Sequence, residues 1–321
     1  MISPGEAPGD PRIMSTVFEE YRSLLFSIAY RMLGVIADAE DMVQETFLRW
    51  QSQDPATIEA PKAWLIATLT RLSIDQLRSA RRQREEYVGV WLPEPLVTAH
   101  DEKSPDHQAA LADSLGLAFM HLLEELSPLE RAVFLLREAF DYDYAEIARI
   151  VDKSEANCRQ LFSRAKQHLG QHEWSEEPAG ARAERVVQQF LEACATGDMQ
   201  SFLAVLTDDA VLYSDGGGKV RSALKPIYSA AFIGRFFIGI RHRALAGATV
   251  QIARVNGKVG AVIRRTDGRI QINAFAFDGD RIKAVYLVTN PDKLTTLKLA
   301  ALPFSSLTNF PEPRGPAAPA P

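Results

Sequence analysis

The chain has 321 residues, of which 46% are hydrophobic and 24% charged, as expected for a folded soluble protein of two or three domains. Its net charge of −5 argues against a protein whose whole surface binds nucleic acid. No apolar run is long enough to span a membrane, and no signal-peptide, metal or cofactor motif is recognisable; the two cysteines form no pair motif, so a cytoplasmic protein without cofactors is expected.

Charge is distributed unevenly along the chain. Residues 15–59 carry a net charge of −5, residues 60–86 carry +3, residues 87–126 carry −6 and residues 181–302 carry +7. Positive charge is therefore concentrated on particular segments, where it can meet an anionic partner.

Three helices are predicted in residues 15–86, after a Pro- and Gly-rich segment, 1–14, that is predicted to be disordered. A capping box at Thr16 and Glu19 predicts the start of the first, which ends before Gly34. The second is predicted over 39–50 with Asp38 as its cap. Its polar face carries three residues: Asp41, Gln44 and Glu45.

The third helix, predicted over 61–86, separates an apolar face from a basic one. The basic face and the arginine-rich end carry Trp64, Arg71, Asp75, Arg78, Arg81 and Arg82. Arginine forks suit phosphates and base edges, and an aromatic ring can stack on an unpaired base. A solvated basic helix with Trp64 half packed in the core explains the pattern equally well.

Residues 87–107 are predicted to form a linker, because WLPEPL contains two prolines and the following residues are acidic. Twenty extended residues reach roughly 65 Å. DNA sites 20 base pairs apart are separated by about 68 Å, so such a linker can join two DNA-binding modules.

Residues 108–172 are predicted to form an all-α domain that contains a helix-turn-helix. Ser127 and Glu130 predict one helix start, Tyr144 to Ile150 a short helix, and Ser154 the cap of a second helix over 155–168. The outward positions of this last helix are Asn157, Arg159, Gln160, Ser163, Arg164 and Lys166. DNA binding is favoured over a plain helical hairpin.

After a second linker, 173–180, the pattern of residues 181–302 predicts an α+β domain in which a curved antiparallel sheet wraps a helix. Helices are predicted over 182–195, 200–206 and 226–243, and strands over 210–214, 248–255, 258–265, 269–277 and 281–289. Asn-Gly and Asp-Gly turns separate the last four strands. Residues 303–321 form a Pro/Ala tail that is predicted to be disordered.

Residues 15–169 resemble an extracytoplasmic-function sigma factor of the sigma-70 family. Four segments carry the resemblance in the family's order: DAEDMVQETFLRW, WLIATLTRLSIDQLRSARR, LSPLERAVFLLREAFDYDYAEIARIV and SEANCRQLFSRAKQHL. It implies promoter-specific transcription initiation with core RNA polymerase: residues 15–86 would be sigma region 2 and residues 108–172 sigma region 4.

The resemblance also implies roles for the residues above. Asp41, Gln44 and Glu45 would bind polymerase, the basic face of the third helix would open and read the −10 element, and the outward face of helix 155–168 would read the −35 element. The chain departs from the family at two of these places. Arg71 stands where many members have Asn, and Asp152 stands where the turn usually has Gly.

The C-terminal domain resembles a SnoaL-like cone, found in a subgroup of these sigma factors. Three motifs carry this resemblance: WLPEP (Trp91, Leu92, Pro93, Glu94, Pro95), DGGGK (Asp215, Gly216, Gly217, Gly218, Lys219) and NPDKL (Asn290, Pro291, Asp292, Lys293, Leu294). It implies that the cone contacts the sigma domains and regulates them, with no separate anti-sigma factor. Lys219 is expected to meet Glu94 or Asp101, and Trp91 and Leu92 to supply most of the affinity.

Two other roles for the cone were considered. An enzyme would use Asp215, His242 or Asp278, but each is explained more simply as structural or exposed. A small-molecule sensor would line an apolar cavity with aromatic side chains, but a filled core is the favoured explanation of these four: Phe232, Phe236, Phe237 and Phe275.

Overall fold

The computed structural model describes residues 11–54, 57–98, 116–170, 178, 180–244 and 247–295, and its side chains except those of 11–13, 81–85, 98 and 242–244. The predictions of disorder for 1–10 and 303–321 lie outside these residues. For 11–14 the prediction is wrong, because the first helix begins at Pro11 and Met14 is buried, with its carbonyl bound by Trp50 Nε1. The described chain divides into two units. The helical unit comprises residues 11–86 and 120–170, and the sheet unit comprises residues 87–98, 116–119 and 178–295.

The helical unit begins with α1 (Pro11–Leu33), α2 (Ile36–Gln51) and α3 (Pro61–Glu85), which share one core. Leu25, Leu65 and Leu69 are fully buried in it. The predicted first and second caps are wrong: residue 16 lies inside α1, and α2 begins after Val35, which makes no side-chain cap bond. Asp38 instead lies in the first turn of α2, where a carboxylate still favours the positive end of the helix dipole.

The second part of the helical unit contains the predicted helix-turn-helix. It comprises α4 (Leu117–Leu122, whose first turn belongs to the sheet unit), a 3₁₀ turn (Leu123–Glu125), α5 (Pro128–Glu138), α6 (Tyr144–Val151) and α7 (Glu155–Leu169). The capping box of Ser127 and Glu130 and the Ser154 cap are confirmed. Asp152 has φ 54°, so an aspartate supports the left-handed turn where glycine is usual.

The helices predicted to form two separate domains pack against each other. α3 contacts both α5 and α6, and α1 contacts α5. The sequence predicts each helix from its own apolar face, but the packing of one helical group on the other depends on side chains that a periodic pattern does not single out.

The sheet unit contains α8 (Gly180–Thr196), α9 (Met199–Val205) and α10 (Ala230–Ala244) together with a sheet. Its strands are β1 (Val97–Thr98), β2 (Leu206–Asp215), β3 (Ile227–Tyr228), β4 (Thr249–Val255), β5 (Lys258–Arg264), β6 (Ile270–Asp278) and β7 (Arg281–Val288), in the order β1-β4-β5-β6-β7-β2-β3. A 3₁₀ turn, Pro291–Lys293, follows.

The predicted antiparallel meander forms β4 to β7, and β2 joins it in parallel beside β7. The helix predicted over 226–243 begins later than expected, because Ile227 and Tyr228 pair with β2 as an edge strand. Ser229, with φ 76°, then turns the chain into α10.

One face of the sheet packs on α8 to α10. Its centre is aromatic: the ring of Phe190 lies 5.2 Å from that of Phe237 and 5.3 Å from that of Phe275, both edge to face. Phe232, predicted to line a cavity here, is 58% exposed instead, because it lies on the outer side of α10. None of the described helices is both long and apolar enough to cross a bilayer.

The other face of the sheet is covered by the described part of the predicted linker and by the first residues of α4. Leu92 and Leu117 pack there against Ile272, Tyr286 and neighbouring strand residues. β1 pairs antiparallel with β4, with Val97 opposite Val255. The described part of the linker is therefore not the free extended tether that its composition predicts, since its apolar side chains are buried on this face.

Candidate functional site

The predicted polymerase-binding face lies on α2. Asp41 and Gln44 are exposed, and the Glu45 carboxylate accepts a hydrogen bond from Arg49 Nε at 2.8 Å. Leu48 lies on the same face, one turn further, and is 52% exposed. Leu48 is not among the residues predicted from the sequence, which are the polar ones on this face.

The predicted −10 residues on α3 have different surroundings. Trp64 is half-buried, with its ring 5.6 Å from that of the buried Trp50, so it is partly a core residue. Arg78 pairs with Asp75 at 3.0 Å, and both are exposed. The side chains of residues 81 and 82 lie outside the described part of the chain.

Arg71, also on α3, binds the backbone of α6. Its Nε donates to the carbonyl oxygen of Ile150 and its Nη2 to that of Arg149, each at 2.9 Å. The sequence does not reveal this contact, because its acceptors are backbone atoms 78 and 79 residues away.

The predicted −35 face of α7 is exposed to solvent. All six residues predicted there are exposed: Asn157, Arg159, Gln160, Ser163, Arg164 and Lys166. On the opposite face Cys158 and Ala165 are fully buried and Leu161 nearly so, as predicted. The helix thus offers a continuous polar face with its N-terminal turns free, as base-reading helices do.

Arg159 is held in place by two neighbours. Its guanidinium lies 3.0 Å from Glu155 and 4.9 Å from the centre of the Tyr144 ring. Tyr144 is a residue that the sequence analysis did not assign, and it also lies under Arg137 at 5.4 Å. Contacts of this kind restrict the orientation of a guanidinium.

The three predicted regulatory motifs meet at the Asp215 carboxylate, which is fully buried at the end of β2. Its Oδ1 accepts from the Tyr87 hydroxyl at 2.5 Å and the Gly217 N–H at 3.0 Å. Its Oδ2 accepts from the Leu92 N–H at 2.9 Å and from Lys293 Nζ at 2.7 Å. We call this group the Asp215 centre.

Lys293 joins the centre to the linker. Its ammonium also donates to the Leu92 carbonyl and lies 4.1 Å from the centre of the Trp91 ring. Lys293 and Asp215 are both buried, so the pair is shielded from water. Removing one partner leaves a buried charge without its counter-ion, which strongly destabilises the folded state. The buried ion pair and the apolar contact of Leu92 both hold the linker on the sheet. That the apolar contact supplies most of the affinity stays a prediction.

The glycines of the DGGGK motif allow Asn290 and the linker residue Val88 to lie close to the backbone of this motif. A Cβ at Gly217 would lie 2.4 Å from Asn290 Nδ2, and one at Gly218 would lie 3.2 Å from Val88. The predicted contact of Lys219 with Glu94 is wrong. The Lys219 ammonium instead binds Asp292 at 2.6 Å, and both side chains are exposed. Asp101, the other predicted partner, lies outside the described residues.

The Tyr87 hydroxyl completes the network. It donates to Asp215 and accepts from Asn290 Nδ2 at 2.8 Å. Burial raises the pKa of Tyr87, and the hydrogen bond to the Asp215 carboxylate raises this pKa further. Tyr87 therefore stays protonated and remains a donor over the physiological pH range.

The three candidate catalytic residues do not form a common site among the described side chains. The Asp215 carboxylate already accepts four hydrogen bonds, Asp278 is exposed at the end of β6, and the side chain of residue 242 is not among those described.

Two models of known protein families match the helices that precede residue 170. The model of Sigma-70 region 2 matches residues 17–83, and that of Sigma-70 region 4 matches residues 116–169. The chain is 38% identical over 290 residues to "ECF RNA polymerase sigma factor SigJ" of Mycobacterium tuberculosis, which covers 87% of this chain and 92% of that protein. It is 35% identical over 196 residues to "Probable ECF RNA polymerase sigma factor SigI" of the same species, over 60% of this chain and 67% of that protein.

A solved structure extends the likeness to the sheet unit. The crystal structure of the Mycobacterium tuberculosis extracytoplasmic function sigma factor SigJ superimposes with a TM-score of 0.72 at 34% identity, covering 88% of this chain and 98% of that one. The match therefore includes the SnoaL-like domain as well as the helices. The chain belongs to the extracytoplasmic-function family of RNA polymerase sigma factors.

Proposed function

We propose that this sigma factor carries its own regulator in the sheet unit, which acts through the linker that follows α3. Family membership makes the chain an alternative sigma factor of transcription initiation. The observation that carries the proposal is the Asp215 centre, because its donors and acceptors come from both the linker and the SnoaL-like domain.

The polymerase and promoter contacts are assigned to two described surfaces and one partly described surface. The face of α2 with Asp41, Gln44, Glu45 and Leu48 binds core polymerase. The basic face of α3 with Arg78 and its neighbours reads the −10 element, and the outward face of α7 reads the −35 element. The exposure of the last surface supports this assignment.

The proposed regulation depends on how many residues of the linker are not held on the sheet. The predicted linker, 87–107, would reach roughly 65 Å if it were fully extended. With residues 87–98 held on the sheet, the nine residues 99–107 reach at most about 30 Å. Docking at the Asp215 centre thus limits how far the −10 module (α1 to α3) and the −35 module (α5 to α7) can separate, and undocking lengthens the tether between them.

The test is transcription by purified core polymerase on a promoter that this chain recognises. Lys293→Met, which breaks the Asp215 centre, should change promoter output, and Lys219→Met, which breaks only an exposed pair, should not. If both variants give wild-type output and polymerase affinity, the built-in regulator is excluded. The absence of promoter-directed initiation by the wild-type chain would refute the sigma function itself.

The rival roles of the SnoaL-like domain have less support. A sensor would need room among the aromatic rings, but Phe190, Phe237 and Phe275 contact one another edge to face as core residues do. An enzyme would need an available acid or base, and Asp215 is fully engaged. A cytoplasmic protein that works without a separate anti-sigma factor stays a prediction, which a search for proteins co-purifying with the chain tests.

A further inference from the structure

Two arginines join the −10 module to the −35 module in opposite directions within the helical unit. Arg71, on α3, reaches the carbonyl oxygens of Arg149 and Ile150 at the end of α6. Arg131, on α5, reaches the carbonyl oxygen of Met32 at the end of α1, at 2.8 Å. Each module thus supplies one arginine and receives one.

Both contacts use the same physical feature of a helix. The last carbonyls of a helix have no intrahelical partner and form the negative end of its dipole, which favours a cation. The chain that follows α6 donates to the carbonyl of Ala148, from the Asp152 N–H and, at 3.0 Å, from the Lys153 N–H. The next two carbonyls accept from Arg71, whose planar fork spans both.

The two arginines differ in how easily they can be released. Arg131 is 3% exposed, and it also pairs with Glu124 at 2.8 Å and donates to the Leu123 carbonyl at 2.6 Å. Arg71 is exposed, and its described contacts are the two carbonyls alone. Arg131 is therefore the contact that breaks second when the modules separate, whereas Arg71 can detach first without leaving a buried charge.

Arg71 has two alternative sets of acceptors, because it binds the carbonyls of α6 and is also predicted to bind the −10 element. Two adjacent carbonyl oxygens offer an arginine the same kind of paired acceptor as the O6 and N7 of guanine or two oxygens of a phosphate. While Arg71 binds α6, its fork is not available to DNA.

The arrangement also conflicts with reading two promoter elements together. α3 has 25 residues and α7 has 15, so the two helices laid end to end would span about 60 Å. Elements 20 base pairs apart are separated by about 68 Å. With α3 hydrogen-bonded to α6, the two DNA-reading helices are much closer than that.

We propose that Arg71 is a latch that holds the −10 and −35 modules in a closed state unable to engage a whole promoter, and that promoter acceptors release it by replacing the two carbonyls. This inference rests on the proposed assignment of α3 and α7 to the two elements. It assigns a role to an arginine at a position where many members of the family have Asn.

The test measures the separation of the modules in the full chain. Spin labels are placed on Glu40→Cys in α2 and Ala145→Cys in α6, both exposed positions, and distances are measured by pulsed electron resonance. The natural Cys158 and Cys194 are buried and should stay unlabelled. Arg71→Gln should raise the ratio of open to closed molecules by about tenfold or more, since it removes two charge-assisted hydrogen bonds.

Two further variants make the result specific. Arg71→Lys keeps the charge but cannot span both carbonyls, so its ratio should lie between those of wild type and Arg71→Gln. Arg78→Gln removes a charge from the same helix without touching α6, so its ratio should equal that of wild type. A cooperative melting transition in each variant establishes that all of them fold.

The outcomes separate the latch from the sigma function. If Arg71→Gln gives the wild-type distances, or if the closed population persists in an initiating complex with core polymerase and promoter DNA, the latch is refuted while the sigma function stands. If the wild-type chain directs no promoter-specific transcription, the proposed function fails and the promoter-release half of this inference fails with it, whatever the distances show.

Discussion

Replacing Lys293 with methionine is expected to release residues 87–96 from the sheet unit. Methionine keeps the length and the apolar stem of lysine but removes the charge that faces Asp215 at 2.7 Å. The Asp215 side chain is fully buried, so its carboxylate cannot turn to water. Removing one partner of such a pair costs about 3–5 kcal/mol. The lower value is expected, because Tyr87, Leu92 and Gly217 still donate to the carboxylate.

The Leu92 amide reports this loss directly, because its N–H donates to Asp215 and its side chain is fully buried. A loss of about 3 kcal/mol in local stability should speed its hydrogen exchange roughly 100-fold, since each 1.4 kcal/mol is a factor of ten. Mass spectrometry of the peptide that contains Leu92 measures the rate in the full chain.

Lys219→Met is the matched control. Lys219 also binds a carboxylate, that of Asp292 at 2.6 Å, but both side chains are more than half exposed. An exposed pair is worth at most about 1 kcal/mol, so exchange at Leu92 should change less than about fivefold. The reasoning is refuted if the two variants have equal effects, or if Asp215→Asn combined with Lys293→Met recovers none of the protection lost in Lys293→Met alone.

Four further predictions concern other surfaces. Leu48→Ser should weaken binding to core polymerase without lowering the melting temperature, because Leu48 is 52% exposed; binding and melting experiments check both parts. Arg159→Ala should cost roughly 1–3 kcal/mol and relax the preference at one −35 position, whereas Lys166→Ala should weaken binding evenly across a panel of promoter variants. Ser127→Ala should cost about 1 kcal/mol of helical-unit stability in denaturant unfolding, through loss of the confirmed capping box. Tyr87 contributes stability that is present below its unfolded pKa near 10 and lost as pH rises toward its higher folded value, so Tyr87→Phe should remove one late-titrating tyrosine from the alkaline absorbance titration.

Local signals predicted much of the fold correctly. The capping box at Ser127, the cap at Ser154 and the left-handed Asp152 are each decided within a few residues of sequence, and the structure has all three. The meander from β4 to β7 follows from alternation and from its Asn-Gly and Asp-Gly turns. These features depend on neighbours in the chain, which a reader of the sequence can see.

What the sequence did not predict depends on distant partners. Docking of Trp91 and Leu92 on the C-terminal domain was expected, but no local pattern shows that the Leu92 N–H will find Asp215, 123 residues away. The meeting of the three regulatory motifs was expected from resemblance alone. The ion pair at its centre, Lys293 with Asp215 rather than Lys219 with Glu94, became visible only in the structure.

The pairing of β1 with β4 has a consequence for the chain while it is being synthesised. Val97 pairs with Val255, which lies 158 residues further along the chain. At about 5–20 residues per second, a ribosome needs roughly 8–30 s to make the intervening residues. During that interval the first three helices already exist while Leu92 has no sheet to cover. Every new molecule thus passes through a period in which the segment after α3 is unrestrained, and the restraint is added only when the last strands emerge.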